Sequence, residues 1–203
     1  MKTAILLLFF ALASCSKDNQ PEDNTLKLPP ETQIGANTFG CYINGNLLIP
    51  RDGTGDFSGP DKGAILWGDP TGDQQYSEIE IKDYKSEHTA KILIHIQSLN
   101  QFGVANYIID ESNGMANIDG FQHTYMHCKI FNINTNSYQY YRSFNNSGML
   151  KITKYDFIPS QKLIISGVFS GQLKNTANSN DIIQVTQGRF DLNGATLSNK
   201  IFP

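Results

Sequence analysis

The chain has little charge: 16 Lys or Arg and 19 Asp or Glu in 203 residues, with no cluster of basic ones. Without a Lys/Arg stripe it lacks the electrostatic footprint of a nucleic-acid partner and of a polybasic membrane-binding surface. Long apolar runs are missing as well. The longest, residues 4–13, is about half of the roughly 20 residues a membrane-crossing helix needs. No segment sustains a 3.6-residue apolar period, so long amphipathic helices are excluded. No Gly-x-Ser-x-Gly elbow occurs, and Gly167-Val168-Phe169-Ser170-Gly171 has the wrong spacing for one. The Gly-rich stretch 53–59 is not followed by Gly-Lys-Ser/Thr, which excludes a phosphate cradle of that type.

What the chain does have is a distinctive start. Met1 and Lys2 precede the apolar run, Leu12-Ala13-Ser14-Cys15 closes it, and Ser16-Lys17-Asp18-Asn19 turns polar at once. A charged start, a short apolar segment and small residues before a cut make a secretory signal peptide, and Ala11-Leu12-Ala13 alone fits an ordinary one. The Cys at the first polar position tips the choice. Leu12–Cys15 resembles the lipobox of bacterial lipoproteins, in which the Cys becomes the lipidated first residue. That resemblance implies a signal peptide over 1–14, lipidation at Cys15, and the membrane as a partner through a lipid anchor. The location it implies is that of an outer membrane lipoprotein, on the cell surface or the periplasmic face. Each buried CH₂ of an acyl chain contributes about 0.8 kcal/mol, so two or more chains hold firmly. Asp18, Glu22 and Asp23 resemble a split form of the acidic export signal of surface-exposed Bacteroidetes lipoproteins.

After removal of 1–14, 15 basic and 19 acidic side chains leave a net charge of −4. Residues 15–37 read as the lipidated Cys and a flexible tether: they are polar, carry Pro21 and Pro29-Pro30, and show no apolar period. The remainder, 38–203, is the right length for one domain with a sizeable core. Asn44-Gly45 between two apolar-rich runs is the strongest short hairpin signal, since a type I′ turn needs φ > 0 at both central residues. Further strands are expected at 64–68, 76–84, 91–99, 106–109, 124–133, 137–144, 149–155, 162–173 and 182–192. In 91–99, Ile92, Ile94 and Ile96 share one face while Leu93, His95 and Gln97 share the other. The expected fold is therefore all-β, an antiparallel β-sandwich of about ten short strands, with a closed lipocalin-like β-barrel as the alternative.

Two stretches carry a family resemblance. The start Asn37-Thr38-Phe39-Gly40-Cys41-Tyr42-Ile43-Asn44-Gly45 and the end Gly188-Arg189-Phe190-Asp191 resemble an uncharacterised family of Bacteroidetes lipoproteins. The resemblance implies location and architecture and supplies no catalytic residues. In the closing motif Arg189 and Asp191 share a strand face and are placed to pair, while Gly171 and Gly188 read as bulges or close backbone approaches.

Candidate sites are few. Tyr138, Tyr140, Arg142 and Phe144 share a face, leaving Tyr141 on the other. If exposed, that face would stack on sugars or bind a peptide; otherwise its aromatics pack against the core. Asp52, Asp56 and Asp61 in a Gly/Asp loop offer weak calcium ligands, without the spacing of an EF-hand. His123 and His127, beside Cys128, would converge on a metal only on a helix; on a strand they lie about 13 Å apart. Cys41 and Cys128 both fall on apolar faces and are expected to be buried thiols.

These observations give a non-catalytic binding or structural module with no cofactor and no nucleic acid. Its ligand would be a glycan, a peptide or a protein. A lipocalin-like carrier of a small apolar ligand is the alternative, ahead of a carboxylate-dependent glycoside hydrolase.

Overall fold

Period-2 alternation becomes eleven strands in the computed structural model, which describes residues 26–57, 59–69, 75–159 and 161–203. The signal peptide, Cys15 and the first part of the tether lie outside these residues. The strands are β1 (Thr38–Ile43), β2 (Asn46–Leu48), β3 (Ala64–Asp69), β4 (Tyr76–Asp83), β5 (Ala90–Gln97) and β6 (Asn106–Ile109). They continue as β7 (Tyr125–Asn132), β8 (Ser137–Arg142), β9 (Gly148–Ile158), β10 (Lys162–Asn175) and β11 (Ile182–Asn193). A single helical turn, α1 (Leu99–Phe102), follows β5.

The all-β antiparallel class holds, but the strands form one sheet rather than two stacked ones. Their order is β2-β1-β11-β10-β8-β7-β5-β4-β3, with β9 and β6 branching from β10. The fork arises because β10 is long. One edge follows β11, while the other pairs with β9 over residues 162–171 and with β8 only at Lys174 and Asn175. The sheet curls into a half-barrel. Near its two ends Arg51, just beyond β2, bridges Asp83 at the end of β4. There the Arg51 guanidinium donates twice to the Asp83 carboxylate, each at 2.6 Å. That fork geometry is the strong form of an Arg–carboxylate bond.

The concave side is filled by the apolar half of each alternation. Ile79 and Ile81, Ile92, Ile94 and Ile96, and Phe39, Cys41 and Ile43 belong to one buried cluster. In β11 a bulge keeps the pattern in phase. Val185 and Phe190 are both buried although they are five apart, because one extra residue opposes both β1 and β10 near Gln187 (φ 52°). Without that residue every side chain beyond it would point to the wrong face. A Cβ on Gly188 would sit 2.5 Å from the Phe169 ring, which accounts for the expected close approach. Cys41 and Cys128 are buried and unbridged, and burial pushes the Cys41 thiol up to about 12.

The Asn44-Gly45 turn forms as expected, with φ of 48° and 79°. The end of the tether does not behave as a tether. Backbone N–H groups of Ile34, Gly35 and Ala36 and the Thr32 hydroxyl all donate to the buried Asp191 carboxylate, at 2.6–3.0 Å. Asn37 is bonded to Asn193 and Thr196. Residues 32–37 thus belong to the domain, because a buried carboxylate needs donors and these amides supply them. For the same reason Arg189 does not pair with Asp191; its guanidinium lies 3.8 Å from Glu31 instead.

Candidate functional site

The convex side of β4, β5, β7 and β8 is not a plain polar surface. Register places its side chains in rows across the strands. Glu78, His95 and Tyr125 form the first; Glu80, Leu93, His127, Arg142 and Lys174 the second; Lys82, Lys91, Lys129 and Tyr140 the third. Phe131 and Tyr138 follow in a fourth.

The first row is sealed by the segment between β6 and β7. The Asn117 N–H and the His95 Nδ1–H both donate to Glu78 Oε1, at 2.7 and 2.9 Å. Tyr76 bonds to the Asn117 side chain, and the Tyr125 hydroxyl donates to Met115 O at 2.8 Å. The His95 ring stacks between Tyr125 and Tyr76, with centroids at 4.4 and 5.4 Å. Glu78 is fully buried, yet its Oε2 has no partner among the described residues.

The second and third rows grade from sealed to open. Burial would raise the Glu80 pKa, but the ammonium groups of Lys82 and Lys91, at 2.6 and 2.8 Å, hold it below the ordinary value. His127 is lowered to about 4 by burial and then by Lys91, outweighing the opposite pull of Glu78 and Glu80, so it is neutral at pH 7. Its Nδ1 lies 3.2 Å from the Ser112 hydroxyl. Arg142 donates through Nη1 to Asn113 O at 2.8 Å, and Gly114 (φ 79°) lies against its stem. Beside these groups opens a small cleft of about 240 Å³ walled by Tyr140 and Thr176.

Two of the sequence-predicted aromatics, Tyr138 and Tyr140, share the open end, while Phe144 lies beyond Arg142 toward the covered row. Tyr138 and Tyr140 are 36% and 54% exposed, whereas Tyr141 is buried on the other face. Lys129 Nζ lies 4.2 Å from the Tyr138 ring centre and 5.7 Å from that of Tyr140. Phe144 lies just past β8, half-buried, with Lys174 Nζ 5.6 Å from its ring.

The other candidates fall elsewhere. Asp52 accepts from the Gly63 and Phe202 N–H groups, and Asp61 from that of Gly55, so these carboxylates brace their own loop. Asp56 bridges Gly59 within the same loop. His123 lies away from His127, its Nε2 2.6 Å from Glu111 O. Among the described residues no group of three His, Cys, Asp or Glu is placed to hold a metal. The Glu78–His95 pair was missed from sequence. Its only signal was charge alternating with isoleucine along 76–83, which a solvated strand face shows equally.

A second, larger cavity of about 590 Å³ lies at one mouth of the half-barrel. Ile43, Leu48, Ile130 and Ile183 line it, with His88 stacked on Phe131 at 3.5 Å. Comparison with family models, curated proteins and solved structures finds no match.

Proposed function

We propose that the chain is a lipid-anchored envelope protein whose folded part is a non-catalytic binding module, engaging its ligand with the Tyr138–Tyr140 strip. One observation carries this reading. On a sheet face whose first row is covered and whose Glu80, Lys82 and Lys91 are locked together, Tyr138 and Tyr140 stand open, and Tyr140 walls a cleft that Arg142 also lines. Aromatic rings supply contact area at low entropic cost, and exposed clusters of them mark interaction surfaces. The anchor follows from the Leu12–Cys15 stretch. Cys15→Ala should release the protein from the membrane fraction or leave an uncleaved precursor. A Cys15→Ala protein processed and membrane-bound as before would overturn the anchor. Binding to a glycan and peptide array, weakened by Tyr140→Ala without loss of fold, tests the module. An array signal indifferent to both tyrosines would refute it.

A carrier of a small apolar ligand has one observation in its favour, the mouth cavity with Ile43, Leu48, Ile130 and Ile183 in its lining. The concave interior itself is filled by core side chains. Displacement of an environment-sensitive dye by fatty acids, abolished by a bulky residue at Ile130, would support this second reading. A hydrolase finds no such support. Glu78 and Glu80 do lie side by side, but on one strand, with Glu78 under the cover and Glu80 held by two lysines.

A further inference from the structure

We infer that the ligand of the Tyr138–Tyr140 face is an acidic glycan, a polymer of sugars bearing carboxylate or sulfate groups. This inference rests on the binding-module reading above and adds the charge of what is bound. The mature chain is acidic overall, yet its convex face from β4 to β10 gathers Lys82, Lys91, Lys129, Arg142 and Lys174. Among the described residues only Glu80 answers them there, and it is taken by Lys82 and Lys91. Glu78 is sealed beneath the cover, whose own exposed acids are Glu111 and Asp119. Lys129, Arg142 and Lys174 therefore have no carboxylate within 4.0 Å among the described residues. Elsewhere most cations of the domain do, as in Arg51 with Asp83, Lys62 with Asp52, and Lys154 and Lys162 with Asp156.

Two of these three unpaired cations lie over rings of the strip and its continuation, the exposed Tyr138 and Tyr140 and the half-buried Phe144. Lys129 lies over Tyr138 and Tyr140, and Lys174 lies over Phe144. Arg142 spends one N–H on Asn113 O, leaving much of its planar fork for a carboxylate or sulfate. Neutral His127 and the Thr176 side chain line the same cleft and supply polar groups suited to ring hydroxyls. At about 240 Å³ the cleft is below the roughly 300–1,000 Å³ of drug-sized pockets, which fits one sugar of a longer chain rather than a whole ligand. An anionic membrane would use the same charges, but it would not need a walled cleft with an arginine clamped beside it.

The test uses the full chain as expressed, in detergent micelles, with polygalacturonate and dextran sulfate as anionic probes. Neutral dextran, vesicles with one-third anionic phospholipid and single-stranded DNA serve as comparators. Binding to an anionic polysaccharide is expected, weakening at least tenfold from 50 to 300 mM salt. Lys129→Glu and Arg142→Gln should each weaken it tenfold or more, and Tyr140→Ala about fivefold, with unchanged denaturant midpoints. Lys85→Glu, on the β4–β5 loop, should leave it unchanged. If neutral dextran binds equally and Tyr140→Ala abolishes both signals, the acidic-glycan inference fails while the binding-face reading stands. If only vesicles or DNA bind, the glycan inference is likewise overturned. If polysaccharides bind indifferently to all these substitutions, both readings fall.

Discussion

Two buried acids show how differently one sheet treats a carboxylate. Asp191 sits where β11 meets the end of the tether, and its two oxygens accept from Thr32, Ile34, Gly35, Ala36 and Ser166. Burial would raise its pKa, but the bonds from Thr32, Ala36, Ser166 and Gly35 outweigh it and hold the pKa below the ordinary value. Glu78 is equally hidden, yet one oxygen takes two donors and the other none. A satisfied buried charge fixes a fold, whereas a half-satisfied one gives back much of its own bonding in desolvation. The first acid is therefore structural. The second lies on the face that bears the candidate site, under the cover of its first row.

The largest effect should come from emptying the satisfied site. Asp191→Ala removes the acceptor for five donors and should cost about 3–5 kcal/mol in a urea melt. Residues 26–36 should then become open to limited proteolysis. A loss below about 1 kcal/mol would mean that the five bonds are worth no more than the water they displaced.

Acid should separate the two regions next. His127, near Glu78, titrates at about 4 in the fold against roughly 6.5 unfolded, so the unfolded chain takes up its proton first as pH falls. Its contribution is complete above about pH 6.5 and is lost between there and about 4, by roughly 1–3 kcal/mol. Asp191 behaves later. Its contribution is full above the ordinary carboxylate range and disappears only as pH drops through that range toward its lowered folded value. Replacing His127 by Gln should abolish the first step and leave the second, read from urea midpoints between pH 7 and 3.

A position remote from both acids calibrates the scale. At Gly45 no atom lies within 4 Å of an added Cβ, so Gly45→Val acts through backbone strain at φ 79° alone. It should cost a little over 1 kcal/mol. The smallest effect should be Glu78→Gln, which keeps a carbonyl for Asn117 and His95 and changes only the atom at the partnerless Oε2 position. Its stability should stay within about 1 kcal/mol of the parent. A loss as large as that of Asp191→Ala would erase the contrast between the two acids.

Much of the architecture was legible. The Asn44-Gly45 hairpin, the position of each strand and the inward cysteines follow from period-2 patterning and from turn residues that tolerate φ > 0. The aromatic strip was legible as a set of residues sharing a face. Whether that face looked outward was not, because alternation of Tyr with Gln and Tyr serves either side of a sheet. The Arg189–Asp191 pair shows the complementary error. The two residues do share a face, but residues 31–36 fold back and supply better partners to both.

The sequence by itself determined the class of structure, since strands, hairpins and bulges depend on residues a few positions apart. Only the tertiary structure decided which polar positions are buried. Glu78 and His95 disappear because residues 110–124 close over them, and Asp191 because a stretch more than 150 positions earlier docks upon it. The pairing of β7 with β8 and of β8 with the end of β10 brings Lys129, Arg142 and Lys174 from three strands to one open face. Burial and charge segregation are properties of such distant meetings, which no local pattern encodes.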